Sequence, residues 1–199
     1  MEIVENKKIA GVILSAGDST RMGQQKALLM FEGETFLTTI INNLLEAKFD
    51  PVMVILGNNY ELIMENNPIT DDIQILRNPN PADGQLSSLQ YAIKNLPEDC
   101  CGLVQALVDH PRVALSSYNL MYRYSQKYND KIIIPSFKGR RGHPVYFGRK
   151  YFPDLLNAPL NHGARHVVEK RSDQVRLLEV EDKGITMDID TPEDYQANL

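Results

Sequence analysis

The sequence has no tryptophan, two cysteines and four histidines in 199 residues. Each scarcity removes a class of function. Cys100 and Cys101 are adjacent, so they form neither a CxxC metal pair nor a disulfide framework. His110, His143, His162 and His166 are scattered, and no HExxH is present, which argues against a zinc centre. Apolar runs fall short of the ~20 residues of a membrane span. The start, MEIVENKK, lacks the basic region and apolar core of a signal peptide, so a cytoplasmic location is expected. Basic residues are not in excess. The net charge of −5 opposes a broad nucleic-acid surface but permits a local cationic pocket.

What is present is an ordinary globular composition, 43% hydrophobic and 24% charged. The length suits one domain over 1–199 with a sizeable core. Ile9–Leu29, IAGVILSAGDSTRMGQQKALL, opens as an apolar strand and breaks at Gly17 into a loop carrying Arg21, Gly23 and Lys26. Phe36, Ile40, Leu44 and Ala47 recur at helical spacing, predicting a helix over Thr35–Lys48 that Asp50-Pro51 ends. Val52–Leu56 reads as a strand covered on both faces, Tyr60–Glu65 as a short helix, and Ile73–Leu76 as a third strand. Arg77–Gln85 is loop chemistry, and Leu86, Leu89, Ile93 and Leu96 mark another helix.

Gly102–Val108 is a fourth strand, closed by Asp109-His110-Pro111. Ser116 is placed to cap a helix reaching Tyr128. Strands are expected at Lys131–Pro135, Pro144–Phe147 and Val175–Val180, with a basic turn at Lys138–Gly142 and a helix at Ala164–Lys170. Thr191-Pro192-Glu193-Asp194 carries the marks of a helix start. Strand–helix alternation predicts an α/β fold with a mainly parallel sheet, helices on both faces and the ligand site beyond the strands' carboxyl ends. The last third, from about Lys138, alternates less regularly and is expected to face the substrate side.

The first loop suits phosphate. Glycines let backbone N–H groups approach an anion, Arg21 can bond its oxygens bidentately, and Lys26 adds a point charge. It is not a Walker A loop: five residues separate Gly17 from Gly23, and Gln24 follows. A surface turn with incidental charges has the same composition. Asp109, ending a strand, suits Mg²⁺, and so do Asp188 and Asp190, which share a side if that segment is extended. Taken alone, each is equally a turn-forming residue.

Five segments in order carry a family resemblance. LSAGDSTRMGQQKALL, NPNPADGQLSSLQYAI, LVDHP, RRGHPVYF and DIDTPEDY resemble the signatures of MobA-like nucleotidyltransferases, most closely the molybdenum cofactor cytidylyltransferase branch. The resemblance implies a three-layer Rossmann-like nucleotidyltransferase fold and transfer of a nucleoside monophosphate from an NTP to a phosphorylated acceptor. It implies that Leu14, Ser15, Ala16, Gly17, Arg21, Gly23 and Lys26 hold base and phosphates, with Gly84 and Ser87 nearby. Arg21, Lys26 and Asp109 would be catalytic, and Asp109 with Asp190 would bind Mg²⁺. Ala16, where guanylyl-transferring members carry Gly, points to CTP, while Ser15 departs from both patterns. The acceptor would be a molybdenum- or tungsten-pterin phosphate, met by Lys138, Arg140, Arg141, His143 and Arg165, and a recipient molybdoenzyme is a possible partner. For His143 a packed, hydrogen-bonded role is the expectation, since the reaction requires no histidine base. The stretch Leu160–Arg165 lacks the acid that family members often carry there. Guanylyl transfer to the same acceptor, transfer to a sugar or polyol phosphate, and a non-catalytic cofactor-insertion chaperone are the alternatives.

Overall fold

The computed structural model describes residues 7–67 and 72–198, so the first six residues of the polar start lie outside it. The chain begins with β1, Ile9–Ser15, whose seven residues are all buried. A loop and a small hairpin, β2 (Met30–Phe31) and β3 (Glu34–Thr35), lead to α1, Phe36–Glu46. The Thr35 side chain accepts a hydrogen bond from the Thr38 amide and so starts that helix. It stops at Glu46, ahead of the expected proline, because Lys48 takes a left-handed φ of 71° and turns the chain there.

Next come β4 (Val52–Leu56), α2 (Tyr60–Asn66), β5 (Ile73–Arg77), α3 (Gln85–Lys94) and β6 (Gly102–Leu107). After them come α4 (Leu115–Lys127), β7 (Ile132–Phe137), β8 (Arg140–Arg141) and β9 (Val145–Gly148). The remainder is α5 (Phe152–Leu156), α6 (Arg165–Lys170), β10 (Val175–Glu179) and α7 (Pro192–Ala197).

Eight of the strands form one sheet in the order β10-β7-β9-β6-β1-β4-β5, with β8 on β7, and β2 and β3 pair apart from it. Pairing is parallel from β6 through β1 and β4 to β5, and again between β7 and β10. The exceptions are β9, inserted antiparallel between β6 and β7, and β8. This is the expected α/β fold with a mainly parallel mixed sheet.

Side-chain alternation along buried strands produces the layers. On one face Ile9 and Ile13 of β1 pack with Leu37, Ile40 and Leu44 of α1 and Met121 of α4. On the other, Ala10, Val12 and Leu14 pack with Leu86 and Leu89 of α3 and Phe152 of α5. Each fully buried Leu or Ile contributes about 1.5–3 kcal/mol of transfer free energy. That rationalises why uninterrupted apolar runs are needed in the central strands. A third, smaller cluster joins Met22, Leu29, Phe36 and Ile189. It fastens the loop after β1 to the segment entering α7, and the Tyr195 hydroxyl donates to the Met30 carbonyl at 2.9 Å beside it.

One predicted cap is different in the structure. Helix α4 starts at Leu115, so Ser116 lies inside it and caps nothing. The cap comes from Asp182, whose Oδ2 accepts from the Ala114 amide at 2.9 Å and the Ser117 hydroxyl at 2.7 Å. A carboxylate at a helix N-terminus does what a local serine would do, and it ties α4 to the chain following β10. Among the described residues no helix is long and apolar enough to cross a membrane.

Candidate active site

Strand order reverses between β1 and β6. The chain runs β1, β4, β5 to one edge of the sheet and then returns to place β6 on the other side of β1. Loops leaving two such neighbours diverge and leave a crevice beyond their carboxyl ends. A cleft of about 270 Å³ sits there, lined by Leu14–Gly17, Ser19–Arg21, Lys26, Pro81, Gly84, Gln85, Ser88, Leu107–Asp109 and Asp190.

The wall that follows β1 is a loop folded on itself. The Ser19 carbonyl accepts from the Met22 and Gly23 amides, and its hydroxyl accepts from the Lys26 amide. Met22 is buried in the small apolar cluster, and Gly23 takes a φ of 73°. These contacts turn Arg21 and Lys26 toward the cleft. The turn at Ala16 is set by close packing: a Cβ on Gly57 would lie 2.3 Å from the Ala16 carbonyl oxygen, so only glycine fits at the end of β4.

The opposite wall carries the carboxylates. Asp109 follows β6, and its carbonyl accepts from the Ile189 amide at 2.9 Å, which brings the C-terminal segment alongside. Asp190 is fixed by the turn into α7. Asp194 accepts from the Asp190 and Thr191 amides, and the Thr191 hydroxyl accepts from the Asp194 amide, completing a capping box.

Lys26 meets both carboxylates. Its Nζ donates to Asp190 Oδ1 and lies 3.4 Å from Asp109 Oδ2. Arg21 pairs with Asp190 Oδ2 at 2.7 Å. The second oxygen of Asp109, Oδ1, is held by His110 Nδ1 at 2.8 Å. Burial alone would raise the Asp109 carboxyl, but His110 and Lys26 outweigh it and hold it below the ordinary carboxylate value. Burial and the neighbouring His110 push the His143 imidazole down to about 4, so it is neutral at pH 7. The two rings meet edge to face with centroids 5.1 Å apart.

The donor set suits a hard divalent cation. Two carboxylates from distant segments face one point, and among the described residues no cluster of three or more potential ligands exists. A divalent cation held by two such carboxylates completes its shell with water and substrate phosphates.

Of the residues predicted from sequence, Leu14, Ser15, Ala16, Gly17, Arg21, Lys26, Gly84, Asp109 and Asp190 line this cleft together. Gly23 supports the loop from outside the lining. Ser87 is outside the lining, its hydroxyl donating to the Gly84 carbonyl at 2.8 Å, and its neighbour Ser88 lines the cleft; the Asn78 side-chain amide donates to both hydroxyls. Asp188 is exposed and outside the lining.

Arg141 is exposed in β8, and Arg165 pairs with Glu169 at 2.7 Å on α6; neither lines the cleft. His143 lies behind Asp109, next to His110. Its backbone amide donates to the Ile185 carbonyl, and its Nδ1 is out of solvent with no partner among the described residues. The ring is packed against His110, and a hydrogen bond with the Gln105 backbone partly offsets the lowering of its pKa. Ser19, Thr20, Pro81, Gln85, Leu107 and Val108 also line the cleft without having been singled out; each adjoins a motif residue, which was the available signal.

The model of the MobA-like NTP transferase domain matches residues 11–175. The molybdenum cofactor cytidylyltransferase of Escherichia coli K12 is 28% identical over 184 residues, 92% of either chain. The purine catabolism protein PucB of Bacillus subtilis 168 is 26% identical over 197 residues, 94% of either chain. Among solved structures, Rv0371c of Mycobacterium tuberculosis H37Rv is similar with a TM-score of 0.85 at 26% identity, covering 98% of both chains. A structure of the same protein is a complex with manganese, with a TM-score of 0.77 over 96% of this chain and 98% of that one.

Proposed function

Because this chain belongs to the MobA-like NTP transferase family, we propose that it transfers CMP from CTP to the phosphate of a molybdenum- or tungsten-pterin acceptor. The observation that carries this reading is the arrangement of Lys26 and Arg21 against Asp109 and Asp190, beside the backbone of Leu14–Gly17 at the β1/β6 crevice. Nucleotidyl transfer needs in-line positioning and neutralisation of phosphate charge, and an acceptor phosphate is already a nucleophile. The site supplies those elements and carries no serine or cysteine nucleophile paired with a histidine base.

In the reaction an acceptor phosphate oxygen attacks the α-phosphorus. The bond from that phosphorus to the bridging oxygen breaks, and pyrophosphate leaves with the electron pair. Lys26 and Arg21 exchange their carboxylate partners for phosphate oxygens when the nucleotide enters. Asp109 and Asp190 would hold Mg²⁺, which when bound supplies charge neutralisation at the phosphates. Ser15–Gly17 and the Pro81–Gln85 turn form the walls between which the base would lie. Ala16 in the first of these, pinned by Gly57, supports the cytidylyl preference.

A matrix of nucleotides against acceptors, with and without Mg²⁺, tests this by pyrophosphate release. The expected result is Mg²⁺-dependent release with CTP and the metal-pterin. Preference for GTP would move the chain to the guanylyl activity, and turnover with a sugar or polyol phosphate would change the acceptor. Binding of pterin without release from any NTP would overturn the enzyme reading in favour of a chaperone.

A further inference from the structure

The sequence of the strand-end motif places His110 directly after Asp109, and nothing in a nucleotidyl transfer calls for an imidazole. The structure gives it a task. The two oxygens of Asp109 are divided: Oδ2 faces Lys26 in the cleft at 3.4 Å, while Oδ1 is held from behind by His110 Nδ1 at 2.8 Å. His110 is itself buried and fixed at both backbone ends. Its amide donates to the Leu107 carbonyl at 3.1 Å, and its carbonyl accepts from the Val113 amide at 3.4 Å.

Its ring is also backed. His143 packs edge to face on it, although His143 Nδ1 is thereby kept from solvent without a partner. His143 in turn is anchored by its amide to Ile185, and Gly142 before it has no room for a side chain: a Cβ there would lie 2.0 Å from the Ile185 carbonyl.

We propose that His110, backed by His143, is a positioning residue that fixes the Asp109 carboxylate in the orientation presenting Oδ2 to the cleft cation. The inference rests on the reading of Asp109 as a metal ligand. A carboxylate free to rotate about its terminal torsion samples orientations that do not present that oxygen. Hydrogen bonds behind metal ligands remove this freedom, and their loss typically weakens metal binding 10–100-fold.

The test uses the intact protein and Mn²⁺ as the probe, read by electron paramagnetic resonance in the presence of α,β-methylene CTP, with α,β-methylene GTP as a parallel arm. His110→Leu is expected to weaken Mn²⁺ binding about 10–100-fold and to lower kcat more than it raises the KM for nucleotide. His110→Asn, which keeps an N–H donor in reach of Oδ1, is expected to restore most of the affinity. Thermal unfolding of each variant is measured alongside, since a merely structural role would lower the melting temperature and leave the affinity of the folded protein unchanged. A folded His110→Leu protein with wild-type Mn²⁺ affinity overturns the positioning role while Asp109→Asn still weakens Mn²⁺. If Asp109→Asn also binds Mn²⁺ normally, the metal reading of Asp109 falls and this inference falls with it.

Discussion

Across the cleft the loop after β1 faces the turn after β6, and the two are held by different means. Asp109 and Asp190 are fixed through neighbours on several sides: His110, the amide of Ile189 and the capping box of α7. The cations opposite are held mainly by those same carboxylates. Arg21 has a side chain 70% exposed and pairs with Asp190, whereas Lys26 is 11% exposed and touches both acids. A site that must exchange one anion for another benefits from this division. Fixed acids keep a cation position preorganised, and cations on a loop can change partners at low cost.

The comparison breaks most sharply at Asp109. Asp109→Asn removes a fixed charge and is expected to lower kcat/KM about 10²–10³-fold, with a smaller loss of melting temperature because a carboxylate held below its ordinary pKa stabilises the fold at neutral pH, as steady-state kinetics and thermal unfolding would report. On the opposite wall, Lys26→Met is expected to lower turnover about 10²-fold yet strengthen Mn²⁺ binding to the nucleotide-free protein. In that form no ammonium competes for the two carboxylates. Mn²⁺ titration checks the sign, and weaker binding would show that the lysine does not compete with the metal.

The support behind the acid wall has a pH signature. The folded-state pKa of His143 lies near 4 and its unfolded value near the ordinary 6.5. Between these values the unfolded chain binds the extra proton. Stability is therefore whole above pH 6.5 and falls as the pH drops toward 4, by at most about 3 kcal/mol. Denaturant unfolding across that range, compared with His143→Gln, isolates the contribution. On the loop side, Met22→Ala should cost about 2 kcal/mol by opening the small apolar cluster, and raise the KM for nucleotide through the displaced loop. The smallest effect is expected at Arg165→Ala. Its side chain is 84% exposed and, among the described residues, pairs within α6, so nucleotide kinetics should stay within about twofold and stability within about 0.5 kcal/mol.

Reading difficulty in the sequence tracks the range of the contacts involved. Strand β4 was legible to the residue, and β1 and β6 nearly so, because a strand covered on both faces is a largely apolar run. The loop with Gly17, Arg21 and Lys26 was singled out by its composition as a candidate anion loop, while its spacing matched no Walker A pattern. The insertion of β9 between β6 and β7 was not, since its apolar residues suit either strand direction. The Asp182 cap on α4 lies 68 residues from Ala114, beyond the reach of any local pattern.

By itself, then, the sequence determined the alternation of elements, both core faces of the central strands and the identities of the charges at the two key loops. These depend on hydrophobic period and on residue chemistry, which are local. Only the tertiary structure decided that Lys26 sits between Asp109 and Asp190, that Ser88 rather than Ser87 lines the cleft, and that His110 and His143 stand behind the acid wall. Those facts follow from the strand-order reversal at β1 and β6 and from the backbone bond joining Ile189 to Asp109. Non-local pairing sets direction and rotation, and a one-dimensional pattern carries neither.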